Sequence, residues 1–186
     1  MEVKVLHEAG YEFALRGMAY SYFDNSANPM DWWTVERFEK AIKRSELLCG
    51  KGAGHDKFLR QIVMWVDINA PRFWWSEFDT YKIGTVAQST STMHTLKKGV
   101  TSAHFEYPEL VNIESLNEFI SYKPSIEQMK AALPEGFLQR RIVTLNYGVL
   151  WTIVQQRHDH RLPQWQQFIG AIRGQCDHPE LLWSQN

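Results

Sequence analysis

Gly54-His55-Asp56-Lys57-Phe58-Leu59-Arg60-Gln61-Ile62-Val63-Met64-Trp65-Val66-Asp67-Ile68-Asn69-Ala70-Pro71 is the stretch that decides the fold. Between Phe58 and Ala70 the apolar residues Ile62, Met64, Val66 and Ile68 fall at every second position, the period of a strand buried on one face. A helix competes for the same residues, because Leu59, Ile62, Val63 and Val66 also share a helical stripe. The alternation favours the strand. Pro71, which has no N–H to lose, suits the first position of a new helix carrying Phe73, Trp74, Phe78 and Tyr81.

On the N-terminal side, Val3 and Val5 alternate with charged neighbours in a short strand that Gly10 ends. Tyr11 to Phe23 then places Phe13, Ala14, Met18 and Tyr22 near one helical stripe. A clearer helix begins near Asp31 or Thr34, either of which can cap it, and repeats Val35, Phe38, Ala41, Ile42 and Leu48. Gly50, Gly52 and Gly54 stop it. On the C-terminal side, Thr85 to Thr95 is rich in hydroxyls and poor in apolar periodicity, which predicts a polar loop or helix end. Ser102 to Ile113 is ambiguous, with Pro108 arguing against a central strand. Ser125 with Gln128 forms a capping-box pattern for a helix ending near Pro134. Gly136 to His158 reads as the longest helix, and Pro163 opens a last one carrying Trp165, Phe168, Ile169 and Ile172. The expected architecture is α+β: one mostly helical domain over 1–186 with a small mixed or antiparallel sheet.

Composition narrows the function classes. The chain has 186 residues, 20 Lys+Arg against 21 Asp+Glu, two cysteines and eight tryptophans. Basic and acidic residues stay within one of each other in both halves, so neither half is a basic arm, and a duplex nucleic-acid binder is not expected. Two cysteines make no disulfide framework and fit a reducing cytoplasm. The N-terminal residues lack a signal-peptide core, and no apolar run approaches the ~20 residues of a membrane helix.

Four features could carry chemistry. Lys51-Gly-Ala-Gly-His55 lets backbone approach a ligand but lacks the P-loop spacing, and alone it reads more readily as a helix stop with a surface histidine. Thr85-Val-Ala-Gln-Ser-Thr-Ser-Thr-Met-His94 offers neutral donors for a phosphate or pyrimidine edge, or for its own backbone. His158-Asp-His160 and Cys176-Asp-His178 do not complete a tetrahedral set, so no metal is expected. Trp32-Trp33 and Trp74-Trp75 are adjacent pairs, from each of which one ring is expected in the core and one free to stack.

These pieces occur in an order that resembles the flavin-dependent thymidylate synthases, the ThyX family. Gly54-His55, then Phe58 and the apolar run to Ala70-Pro71, resembles that family's Gly-His element and central segment. Arg72 to Lys82 and on to Gln88-Ser-Thr-Ser91 sits where the family keeps Arg-His-Arg-x-x-Ser-x-Asn-Glu-x-Ser-x-Arg-Tyr. Asn146-Tyr-Gly-Val-Leu150, Gln156-Arg157 and Pro163-Gln164-Trp165 resemble the closing helices. The signature is altered: Thr80-Tyr81-Lys82 stands at Arg-His-Arg, Ala87-Gln88 at Asn-Glu, and Thr92-Met93 at the final Arg-Tyr. The cations left nearby are Arg60, Arg72 and Lys82.

The resemblance implies a homotetramer with flavin sites between subunits, FAD as cofactor, and methylenetetrahydrofolate and NADPH as further partners. His55, Tyr81, Lys82 and Asn146 fall on the flavin side. Gln88, Ser89, Thr90 and Ser91 form the nucleotide loop, with Arg157 reaching in from the closing helices. No catalytic residue is assigned. The implied chemistry is one-carbon transfer, methylation or hydroxymethylation, to C5 of a pyrimidine deoxynucleotide such as dUMP or dCMP. The competing expectation, motivated by the joint loss of signature charges, is a nucleotide-binding or assembly protein that keeps the fold without catalysis.

Overall fold

The computed structural model describes residues 1–183. In chain order the elements are β1 (Glu2–Ala9), α1 (Tyr11–Ala19), α2 (Pro29–Trp32), α3 (Val35–Leu48), β2 (Val63–Pro71), α4 (Arg72–Phe78), β3 (Thr85–Ser89), α5 (Thr92–Thr95), α6 (Ile113–Ser121), α7 (Ile126–Ala132), β4 (Leu138–Asn146), α8 (Tyr147–Arg157) and α9 (Pro163–Gln175). Short 3-10 turns follow α1 at Tyr20–Tyr22 and precede β2 at Lys57–Gln61. The architecture is α+β, as the sequence predicts.

The strands form one antiparallel sheet in the order β1-β2-β4-β3. Its centre is the ladder from Val63 opposite Asn146 to Pro71 opposite Leu138. Alternate residues of that ladder, Met64, Val66 and Ile68 on β2 with Val143 and Leu145 on β4, are buried in the main core. The opposite face carries Trp65, Asp67, Thr144 and Ile142, the last 45% exposed. A second, smaller hydrophobic cluster joins Leu96, Val100, Phe105, Met129, Leu133 and Phe137. Arg72 ties the two together: its N–H donates to the Phe137 carbonyl at 3.1 Å, and its guanidinium donates to the Leu133 carbonyl at 3.0 Å.

Helix starts follow the predicted caps. Thr34 Oγ1 accepts from the Arg37 N–H at the head of α3, and Ser125 with Gln128 forms the reciprocal capping box of α7. Pro71 is the last residue of β2 and the cap position of α4, one step earlier than the sequence suggests.

Four expectations are corrected. Gly136 to His158 is not one helix, because 138–146 is β4 and only Tyr147–Arg157 is helical. Ile142 and Leu145 mimic helical spacing, but the β-branched run Ile142-Val143-Thr144 lies in the sheet, where its side chains fit the pleat. Thr85–Ser89 is not a loop: Thr85 pairs with Leu145 and Ser89 with Arg141, an edge strand whose polar side chains hid its period. Trp74 and Trp75 are both buried rather than divided between core and surface. Their rings meet edge to face at 5.0 Å; Trp74 packs on Trp165 and Phe168, while Trp75 Nε1–H donates to the Gln139 carbonyl at 2.8 Å. The α1 stripe is also rotated: Ala14 and Leu15 are buried, and Phe13 is 74% exposed.

A buried polar latch closes the end of β1 over α8 and the C-terminal segment. The Tyr147 hydroxyl donates to the Glu8 carboxylate, which also accepts the Asp177 N–H at 2.9 Å. The His178 ring lies flat on Tyr11, with centroids 3.4 Å apart. Burial raises the Glu8 pKa above the usual carboxylate range, and its hydrogen bonds oppose the rise.

Two tests follow. Ile68→Ala, at a fully buried position of the central ladder, should cost about 2–5 kcal/mol in urea denaturation. For Glu8, a raised native pKa means stability present below the unfolded pKa and lost as pH rises through the native one. Glu8→Gln has no such loss. Urea midpoints should therefore shift in the variant's favour, relative to the natural chain, between acid and neutral pH; an unchanged gap would contradict the raised pKa.

Candidate functional site

One end of the sheet gathers the start of β2, the end of β4 and the start of β3. The chain enters that end through the Lys57–Gln61 turn and leaves it through Asn146 into α8. A cleft of about 570 Å³ opens there, lined by Arg60, Tyr81, Gly84, Asn146, Trp151 and Thr152 among others. Arg60 is exposed, and its guanidinium has no hydrogen bond or ion pair among the described residues. Asn146 is committed on one side: its Oδ1 accepts the Val149 N–H at 3.0 Å and caps α8.

Glycine shapes the wall. Gly84 has φ +87°, and a Cβ there would lie 2.8 Å from Asn146 Nδ2 and 3.0 Å from Val149 Cγ2. Any side chain at 84 would displace the Asn146 amide or the first turn of α8.

Tyr81 is held from behind. Its hydroxyl accepts from Arg157 Nε at 2.9 Å and donates to Gln156 Oε1 at 2.9 Å. Arg157 donates a second bond to Glu77 Oε2 at 3.0 Å, and its guanidinium covers the Trp165 ring at 4.8 Å. The same Glu77 oxygen accepts Trp165 Nε1–H at 2.8 Å and lies 3.4 Å from His160 Nε2. Glu77 on α4 is thus the common acceptor for α8 and α9. A half-buried carboxylate accepting from a guanidinium and an indole N–H is stabilised by a charge-assisted bond.

The sequence-predicted residues distribute unevenly. Tyr81 and Asn146 share the cleft. His55 lines a separate cavity of about 380 Å³ with Gly54, Lys57, Ser21 and Arg44. The Lys57–Gln61 turn divides the two: Leu59 and Arg60 face the cleft, while Lys57, Phe58 and Gln61 face the His55 cavity. Lys82 is exposed and lines neither. Gln88 and Ser89 lie on edge strand β3, with Thr90 and Ser91 just beyond; Gln88, Ser89 and Thr90 are exposed, whereas Ser91 is partly covered and its carbonyl accepts from His94 and Thr95 at the head of α5. Arg157 stands behind Tyr81, bound to Glu77 rather than projecting free.

Of the three cations left near the altered signature, the structure puts only Arg60 in the cleft. Arg72 bonds the Leu133 carbonyl and faces Glu135 at 3.4 Å. Sequence reasoning missed Glu77, whose donors Arg157 and Trp165 reach it only once α4, α8 and α9 are packed and which leaves no local signal. It also missed Arg141, which lies opposite Ser89, covers Trp75 at 4.1 Å and pairs with Asp79 at 2.7 Å.

The sheet order and the closing helices define the class of fold, that of the flavin-dependent thymidylate synthases. Two crystal structures of ThyX from Helicobacter pylori, each in complex with FAD and dUMP, superpose with TM-scores of 0.78 and 0.76. They are 15% and 16% identical to this chain, and in both cases 98% of each chain is covered. In fold, the chain is a divergent ThyX-like protein. No protein-family model matches the sequence, and no curated protein matches it significantly.

Gly84→Ala should therefore destabilise the protein more than Gly52→Ala. Both glycines have positive φ, but a Cβ at Gly52 meets nothing within 4 Å, so only backbone strain of about 1–2 kcal/mol is expected there. Thermal unfolding of the two variants side by side gives the comparison; equal losses would mean that the Asn146 wall is not close-packed.

Proposed function

We propose that the chain is a ThyX-like enzyme that transfers a one-carbon unit to C5 of a pyrimidine deoxynucleotide, dUMP or dCMP, using FAD, methylenetetrahydrofolate and NADPH. The observation that carries the reading is the unpaired Arg60 guanidinium beside Tyr81 and Asn146, in a cleft at the strand ends of a fold whose solved relatives hold FAD and dUMP. The residues present fit a flat, anionic ligand. Gly84 and Gly148 let Asn146 and Arg60 pack close along the wall, Tyr81 and Trp151 offer ring surface, and Arg60 offers a planar fork for phosphate or a carbonyl oxygen. Bound FAD would supply the hydride chemistry.

This chain's own residues do the positioning. Arg157 and Gln156 fix the Tyr81 hydroxyl, so the ring cannot swing away from the cleft. Glu77 neutralises Arg157 from below and holds it there. The Asn146 amide, fixed by capping α8, keeps its Nδ2 as a donor beside Gly84. His55 and Lys82 complete the flavin side from a neighbouring protomer of a homotetramer, since His55 opens on the other side of the 57–61 turn within one chain. Gln88, Ser89, Thr90 and Ser91 take the nucleotide.

A non-catalytic nucleotide-binding protein is the second reading. It is favoured by Thr80 and Thr92 standing where the family signature has arginines, and by Arg157 being already neutralised by Glu77.

Absorbance and fluorescence titration with FAD separates the readings from a helical protein with no ligand. Saturable flavin binding is expected, weakened about tenfold or more in Arg60→Gln, the usual scale for losing a charged hydrogen bond. Release of tritium from C5-labelled dUMP or dCMP in the presence of FAD, NADPH and methylenetetrahydrofolate marks the enzyme. Nucleotide binding without release marks the second reading, and a colourless protein that takes up no FAD would sink the flavoenzyme.

A further inference from the structure

Away from the cleft, one face of α3 forms a groove of about 690 Å³ with the turn after α1 and with α2. Arg37, Lys40, Lys43, Arg44 and Lys51 ring it. Met18, Ala19, Ala41 and Leu48 supply apolar surface inside it, and Tyr22 and Trp32 stand at its side. The Arg44 guanidinium lies 4.5 Å from the Tyr22 ring centre, and that of Arg37 lies 4.2 Å from Trp32. None of the described residues lining the groove is a carboxylate, an amide, a serine or a threonine.

The charge is partly sorted by helical period. At 100° per residue, Arg37, Lys40 and Arg44 fall within one 60° sector of α3 and Glu39 and Glu46 on the far side, while Lys43 and Glu36 lie next to each other between the two. Lys40 has an exposed partner in Glu36 at 2.7 Å. Arg37, Lys43, Arg44 and Lys51 have no carboxylate partner among the described residues. A chain of net charge −1 therefore carries a local groove of five cations, of which Glu36 pairs with one.

The shape of this charge selects its ligand. Arg37 and Arg44 are about 10 Å apart along the helix axis, and Lys51 lies beyond the helix end, so the cations form a line rather than converge on one phosphate. The groove holds no amide or aliphatic hydroxyl to read an adenine or cytosine edge, and its polar side chains are mainly cations suited to phosphate. It offers what a sequence-tolerant single strand needs: cations that track a backbone, and aromatic faces on which bases stack. Tyr22 is 60% exposed with a cation beside its ring, an arrangement that favours a further flat partner. We propose that this groove binds single-stranded nucleic acid without sequence preference. The groove is separate from the strand-end cleft and adjoins the His55 cavity through Arg44.

The test is fluorescence anisotropy of labelled decathymidylate with the full chain. Saturable binding is expected, with a log–log salt slope approaching about −3.5 if all five cations contact phosphates. Tyr22→Ala should weaken binding about tenfold at an unchanged slope, and Arg37→Gln with Lys43→Gln should make the slope about 1.4 shallower. Thermal midpoints and FAD binding, measured in parallel, should match the natural chain in both variants. The proposal is overturned by no binding at about 50 mM salt, by decaglutamate competing as well as unlabelled decathymidylate, by duplex binding equally well, or by both variants binding as the natural chain does.

Discussion

The antiparallel ladder between β2 and β4 is the constraint from which the rest of this structure follows. Its nine register pairs bury one face of each strand and leave the strand ends no freedom in where they deliver the chain. Because Val63 stands opposite Asn146, the turn before β2 and the cap of α8 must meet. Because β3 joins β4 at Thr85–Leu145, the Gly84 approach must arrive at the same edge. Arg60, Gly84 and Asn146 are distant in sequence and adjacent in space for that reason alone. A slip of one residue would turn Met64, Val66 and Ile68 outward and dismantle the cleft with the core.

The helices above this end are joined through a single carboxylate. Glu77 takes donors from Arg157 on α8 and Trp165 on α9, while Tyr81 follows three residues after the end of its own helix. Two helices therefore share an acceptor, and truncating it would leave Arg157 without its charge partner, a larger penalty than the loss of one bond. The arrangement gives Arg157 a positioning part in the site. Its charge is spent inside the protein, which leaves Arg60 as a cleft cation with no ion pair among the described residues, although Asp56 lines the same cleft.

What the sequence revealed depended on whether a local rule and the tertiary environment agreed. β2 was legible because its alternation coincides with one-sided burial, and the α7 capping box because both bonds lie within four residues. β4 was not: Ile142, 45% exposed, and Leu145 imitate a helical repeat, and only pairing with β2 separates the two readings. β3 was hidden because an edge strand with nothing covering Ala87 and Gln88 has no burial period to display. Tyr81 and Asn146 could be placed together through the ordered blocks of a family resemblance, whereas the Glu77 hub needs α4, α8 and α9 in three dimensions. Both rings of Trp74-Trp75 are buried because α4 lies between the sheet and α9, a sandwich no dipeptide pattern encodes.

Charge and tryptophan content, uninformative as totals, become informative once located. The near-zero balance is the sum of unlike regions: α3 partly sorts its acids from its bases around the helix, and the cleft end holds one guanidinium without an ion pair among the described residues. The aromatic excess divides in the same way. Trp74, Trp75 and Trp165 form a continuous buried stack under the Glu77 hub, where their area stabilises the junction of sheet and helices. Trp32 and Trp33 lie at the surface beside α3. A core built on so many large flat rings tolerates little repacking, since each ring fixes the orientation of its neighbours. That rigidity keeps Tyr81 and Asn146 in register, and it lets the outer face of α3 diverge in charge without disturbing the cleft.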